Sequence, residues 1–370
     1  MTNAHSTGAW PEALFGAPSG CSAGDRIFTS GLMARDGTGL ESEAHQVFRA
    51  AVELLLGQGA ALGDAVRTRI FYTEEGAADL LSAVHGVVFD SPGPAMSAVL
   101  VDCLPRDSKV ALEIEAIRGA SGSMTHYGAD AASASSRAVR HDDELFVAGL
   151  SASDAGSHAA QMDAVYDSGT AALAEAGMTG SDVVSTRHYY AHAVESETDG
   201  AGKNDFMADG EPTSAGICVI GPAGRGATFS LEFEAVAGAA GRRQNYRTGR
   251  TFEVENHYSR AVRAGNVIYV AGTTSIVPGE IVQHPGEVGP QITDTLAIIR
   301  AAIEELGGKW SHLVRTRTYI VGGLKKLDEA ATALKAATEG TNAAATLMGV
   351  PVLGRPEVVV EIEATAIVGE

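Results

Sequence analysis

Three short stretches of this 370-residue chain carry two carboxylates at i, i+2 spacing. They are "VALEIEAIRG" (Glu113, Glu115), "FSLEFEAVAG" (Glu232, Glu234) and "VVVEIEATAIV" (Glu361, Glu363). A carboxyl group in a partly dry cleft has its pKa raised toward neutrality. It can then protonate a leaving group or an alkene carbon. Beside guanidinium groups, the same acids instead make buried ion pairs, because an isolated buried charge costs several kcal/mol. Guanidinium groups are at hand: "VRTRIFYT", "VSTRHYYA" and "VRTRTYIV" place Arg69, Arg187 and Arg317 in matching positions upstream. Both uses stay open at this level. Other chemistry finds little support. His188 and His192 of "HYYAH" fall in a strand-like run, where they would stand about 13 Å apart, so no metal site is expected. "GPAGRGA" is followed by a strand pattern, not the helix that a phosphate cradle needs. No GxSxG nucleophile motif occurs. Cys21, Cys103 and Cys218 are too few for a disulfide framework and are expected to be inert.

The elements that would position the acids repeat along the chain. In a strand, alternate residues face opposite sides, so Val358, Val360, Ile362 and Ala364 share one face, with Glu361 and Glu363 on the other. The apolar face is expected to meet helices of its own unit. The acid face then points at a neighbouring unit or at a cleft. Aligned on the first acid of each pair, Glu113, Glu232 and Glu361 correspond. A strand ending in small residues opens each unit: "RIFTSGL", "ELFVAGL" and "VIYVAGT", with Gly31, Gly149 and Gly272. A helix with apolar residues at 3.6 spacing follows, clearest in "PQITDTLAIIRAAIEELGG", where Pro290 suits a first turn and Gly307 and Gly308 stop the helix. The unit reads β–(β)–α–β–α–β–β, an α+β sandwich of about 110–120 residues occurring three times.

The expected division is an N-terminal extension (1–24), units at 25–120, 137–240 and 258–370, and linkers at 121–136 and 241–257. The first linker is rich in Ser, Ala and Gly, the second polar and basic. Unit two departs from the others in "AVESETDGAGKNDFMADGEP", expected as a frayed helix or a loop.

Bulk properties bound the partners. A formal net charge of −19 argues against nucleic acid and anionic membranes, whose binders carry basic faces. With 45% hydrophobic residues, each unit can bury a core. No secretory signal pattern and no apolar run of spanning length is visible, so a cytoplasmic protein is expected.

These units resemble the RidA/YjgF family, enamine/imine deaminase domains of chorismate-mutase-like fold that assemble as trimers with clefts between protomers. The resemblance is clearest in "YSRAVRAGNVIYVAGTTSI", "VRTRTYIV" and "VEIEATA". It implies three tandem RidA-like domains forming an internal pseudotrimer, a monomer or low-order homo-oligomer. Within about 210–370, "VAGTTSIVPGEIVQHPGEVGPQITDTLAII" and "GRPEVVVEIEATA" resemble the chorismatases, enzymes that split chorismate into a hydroxybenzoate or dihydroxybenzoate plus pyruvate.

The resemblance implies a cofactor-free enzyme acting on a small unsaturated metabolite by acid/base hydrolysis, elimination or tautomerisation, in a specialised biosynthetic pathway. Glu361 matches the catalytic acid. Tyr258, Thr273, Ser275, His284, Gln291, Arg317 and Glu363 are implied as substrate-binding, Arg317 as a carboxylate clamp. The arginine of the deaminases' "PARS"-like motif is replaced by Met96, Ser214 and Ala345. Two other readings are a RidA-type deaminase for an imine without a carboxylate, and a non-catalytic small-molecule-binding or scaffold protein.

Overall fold

The computed structural model describes all residues except 7–11, 13, 15, 38, 192–200, 225 and 370. His192 and the first half of the irregular stretch in unit two lie outside the described residues.

The first repeat contains β1 (Gly20–Ala23), β2 (Arg26–Thr29), helix α1 (Leu40–Gly57), β3 (Ala65–Tyr72), α2 (Ala78–Val88), β4 (Ala95–Leu100) and β5 (Val110–Ile117). The second contains β6 (Ser135–His141), β7 (Glu144–Ser151), α3 (His158–Glu175), β8 (Val183–Tyr190), α4 (Ala201–Ala208), β9 (Thr213–Cys218) and β10 (Phe229–Val236). Before the third lies a short helix, α5 (Thr251–Glu255). The third repeat then contains β11 (Ala261–Ala264), β12 (Val267–Thr273), α6 (Val288–Glu305), β13 (Leu313–Val321), α7 (Gly323–Ala337), β14 (Ala344–Val350) and β15 (Val360–Ile367).

The strand order is the same each time: β1-β2-β5-β3-β4, β6-β7-β10-β8-β9 and β11-β12-β15-β13-β14. The last pair in each is parallel and the rest antiparallel. The parallel pair follows from the helix that links its strands, since a parallel return needs a crossover. The first two repeats join edge to edge through Ala95 and Ser136.

The 3.6-residue pattern of α6 buries Ile292, Leu296, Ile299 and Ile303 against Ile268, Val360 and Ile362 of the sheet. Each such side chain contributes roughly 1.5–3 kcal/mol when fully buried. After the helix, Gly307 takes a left-handed φ of 79°. The Gly308 amide then returns to the Ile303 carbonyl at 2.9 Å, closing the C-terminus.

The stretches read as an extension and as linkers are themselves structured. The extension supplies β1, whose small residues "GCSA" lack an apolar alternation. Thr125–Asp130 forms a strand paired with β6, Gln244–Tyr246 pairs with β11, and α5 lies within 241–257. Part of the irregular stretch of unit two is the helix α4. Backbone pairing, invisible in side-chain composition, accounts for the added strands, while α4 is one of the two forms expected of its stretch. Among the described residues, no helix is long and apolar enough to cross a membrane.

Candidate functional site

The acid strands lie beside the arginine strands, and their register decides what each carboxylate does. Arg69 stands opposite Glu113 and Arg187 opposite Glu232. Arg317, however, stands opposite Glu363, and Glu361 is opposite Tyr319. Glu113, Glu232 and Glu363 therefore correspond, and the sequence alignment on Glu361 slips by two residues. The positions matching Glu361 are Ala111, opposite Phe71, and Ser230, opposite Tyr189. Glu361 is an additional acid found in the third repeat only.

The corresponding acids close a cycle of ion pairs. Arg69 binds Glu232 at 2.6 Å and lies 3.7 Å from Glu113. Arg187 binds Glu363 at 2.7 Å and Glu232 at 3.1 Å. Arg317 binds Glu113 at 2.9 Å and also pairs with Glu363. Each arginine thus joins the acid of its own repeat to that of another. Burial opposes ionisation, but Arg317 and then Arg69 outweigh it at Glu113, whose pKa falls to about 2. At Glu232, Arg69 and Arg187 do the same, again to about 2. Glu363 is likewise held well below the usual range by Arg187 and Arg317, and accepts a 2.7 Å bond from the Tyr319 hydroxyl.

Glu361 behaves differently. It lies on the wall of a cavity of about 310 Å³ between repeats two and three. Burial, then the nearby Glu363 carboxylate, push its pKa up to about 8, against the weaker pull of Arg260 and Arg250. Its carboxyl occupies the space left by Gly272, where a Cβ would come within 2.0 Å of Oε1 and 3.1 Å of the Ala215 Cα. Strand β12 thereby abuts β9 of the second repeat.

Other side chains on the cavity wall are Tyr258, Arg250 and Arg355 from one side, and His188 and Lys203 from the other. Arg250 binds both oxygens of Glu280, at 3.2 and 2.7 Å, and Arg355 reaches the same carboxylate at 3.1 Å. Arg260 fastens α5 to β12. It donates to Glu253 at 3.0 Å, the Gly272 carbonyl at 2.8 Å and the Tyr258 hydroxyl at 3.0 Å. His188 is buried; its Nδ1 lies 3.3 Å from the Ser214 hydroxyl, while Nε2 has no hydrogen-bond partner among the described residues. Burial, then the charges of Lys203 and Arg187, hold its pKa well below the usual histidine range, so it is neutral.

Of the sequence-derived candidates, Tyr258 and Glu361 meet at this cavity. Arg317 and Glu363 belong to the ion-pair cycle and do not line it. Thr273 spends its hydroxyl on the Ala271 carbonyl at 2.7 Å and Ser275 on the Gln283 carbonyl at 3.0 Å. Gln291 stitches two loops together, donating to His284 and Glu357 carbonyls and accepting from the Val359 amide. His284 is half exposed on a loop, near Asp294 at 3.6 Å. Arg250, Arg355, Lys203 and His188 were missed. Arg250 sits in a stretch read as a linker, and His188 in an aromatic run that gave no clue to its place beside the cleft. The "YSRA" segment was a usable signal for Arg260.

The sequence model of the family described as endoribonuclease L-PSP matches residues 12–118 and 248–368. A RutC family protein of Pyrococcus abyssi is 37% identical over 65 residues, 17% of this chain and 50% of that protein. The chain thus spans about half the length of that curated relative. Among solved structures, a chorismatase is 16% identical, with 82% of this chain and 93% of that one covered and a TM-score of 0.57; at that identity the likeness concerns the fold. A YjgF/YER057c/UK114 family member from Mycobacterium tuberculosis is 31% identical over 34% of this chain and 99% of its own, with a TM-score of 0.31. With the family's model matching more than half of its residues, the chain belongs to the endoribonuclease L-PSP family, the RidA/YjgF proteins.

Proposed function

We propose that this chain is a RidA-superfamily enzyme with chorismatase-like features, using Glu361 as a general acid in the cleft between repeats two and three. Its substrate is a small unsaturated metabolite, its reaction an acid-assisted hydrolysis, elimination or tautomerisation. The observation that carries this reading is the Glu361 carboxyl, pushed up to about 8 on a cavity wall. Such a group holds its proton near neutrality and can deliver it. Arg250 and Arg355 share the single Glu280 carboxylate, so together they keep a net positive charge on the wall that favours an anionic substrate. They take over the clamp role expected of Arg317. For an enol ether, Glu361 protonates the alkene carbon and water traps the resulting oxocarbenium ion. The hemiketal then splits into ketone and alcohol, and the proton lost by the water returns to the carboxylate.

On the same reading, the three repeats (25–120, 137–240 and 258–370) act as the protomers of a trimer fused into one chain. The cycle of ion pairs through Glu113, Glu232 and Glu363 supports this internal pseudotrimer. One cleft does the chemistry, because Ala111 and Ser230 occupy the Glu361 position elsewhere.

The test is incubation of the purified chain with chorismate while following pyruvate. Pyruvate release by the native chain and its loss in Glu361→Gln support the proposal. No pyruvate at high enzyme concentration sinks the chorismatase-like form. Release of ammonia from an imine made by an amino-acid oxidase would then select the deaminase reading. Inertness in both assays would favour the binding or scaffold role.

A further inference from the structure

A second cavity, of about 570 Å³, is lined by side chains from all three repeats. Arg26 comes from the first, Asp143 and Glu144 from the second, Arg242 and Arg243 from the stretch that follows it, and Arg263 from the third. In a chain with 27 Lys and Arg against 46 Asp and Glu, four arginines facing two acids form an unusual concentration of positive charge.

The manner in which these arginines are held matters more than their number. Arg242 donates to the Ala237 and Gly238 carbonyls at 2.6 and 3.2 Å, and lies 3.7 Å from Asp143. Arg243 donates to the Val183 and Asp209 carbonyls at 2.9 and 3.2 Å. Arg263 donates to the Gly265 and Leu306 carbonyls at 3.0 and 2.8 Å. Backbone carbonyls satisfy hydrogen-bond donors and fix the side chains, but they are neutral acceptors and leave the cationic charge in place. Of the cavity's two acids, Glu144 pairs with Arg26, which also contacts Glu115 at 3.3 Å. Burial, the largest cause, holds the Arg243 guanidinium below the usual arginine range despite Asp182 and Glu211 nearby. The result is a fixed fork of guanidinium groups around a space large enough for a small molecule.

We propose that this cavity binds a small polyanion, a phosphate ester or polycarboxylate bridged by Arg242, Arg243 and Arg263. Planar guanidinium groups offer paired N–H donors that match the oxygens of both classes. Because Arg242 and Arg243 follow the second repeat and Arg263 lies in the third, the ligand would also tie these parts of the chain together. The site is separate from the Glu361 cavity and does not depend on the chemistry proposed there.

The test is titration calorimetry of the full chain with sodium pyrophosphate and with citrate at low salt, alongside thermal melting in the same anions. Either anion should bind and raise the melting temperature, as any ligand selective for the folded state does. Pyrophosphate alone identifies the phosphate class, and citrate alone the polycarboxylate class. The double variant Arg242→Gln, Arg263→Gln should weaken binding by about tenfold or more, as expected for lost charge-assisted contacts. Arg242→Gln alone, on the most exposed of the three side chains, provides a variant with little risk to folding and should weaken binding measurably. Glu361→Gln should bind like the native chain. No heat and no melting shift with either anion, or undiminished binding in a folded arginine variant, would overturn the proposal.

Discussion

At Glu361, burial and a neighbouring carboxylate act in the same direction, and both favour the neutral acid. Activity that needs this proton should be sustained below pH about 8 and fall as pH rises through that value, which a pH–rate profile would show. The same shift has a consequence for stability. The pKa is raised from 4.5 in the unfolded chain to about 8 in the folded one, so the native state holds more protons between those values. This group's contribution therefore falls as pH rises from 4.5 to about 8. Glu361→Gln should abolish turnover, leave the melting temperature almost unchanged at acidic pH, and flatten the decline above it. Loss of stability with activity retained would mean that the carboxylate is structural. His188 provides a second residue-level prediction. Its imidazole, buried and surrounded by positive charge, should show no protonation step near neutrality in an NMR titration.

At the scale of elements, strand β12 approaches β9 closely because position 272 has no side chain. Gly272→Ala would place a methyl group where the Glu361 carboxyl lies and against the backbone of Ala215. The acid would have to swing away, so kcat should drop sharply with a smaller loss in melting temperature. The β3–β5, β8–β10 and β13–β15 pairs present the opposite case, charges held in place by partners. Removing one member, as in Glu363→Gln or Arg317→Met, strands buried countercharge and should cost about 3–5 kcal/mol in denaturant unfolding. Glu113 and Glu232 have pKa values depressed from 4.5 to about 2. Their stabilisation is complete above 4.5 and lost as pH falls through about 2, so acid unfolding followed by circular dichroism should track that interval.

At the scale of the whole molecule, each repeat touches both others. Gly31 donates its amide to Ala345 of the third repeat at 3.2 Å, Gly149 lies against Met96 of the first, and Gly272 against Ala215 of the second. Contacts running from one to three, two to one and three to two return to their start. A surface that closes on itself needs no second copy, so light scattering should give the mass of one chain. A larger mass would mean that contacts outside this closed cycle also join copies of the chain.

The sequence by itself determined the three ββαβαββ units, the helices with buried 3.6-residue stripes, and the face on which each acid stands. These are periodic properties, and they can be read from local order because each element obeys one repeat length. Period two, however, is unchanged by a slip of two residues. "VALEIEAI" can be laid on either frame of "VVVEIEATAI" with every acid still on the same face. Only strand pairing decided that Glu363 belongs to the ion-pair cycle and that Glu361 is the additional acid. Likewise, only tertiary structure brought Arg250, Arg355, Lys203 and His188 to one cavity. They come from a helix cap, a loop, a short helix and a strand far apart in the chain, and no local pattern records which of them share a space.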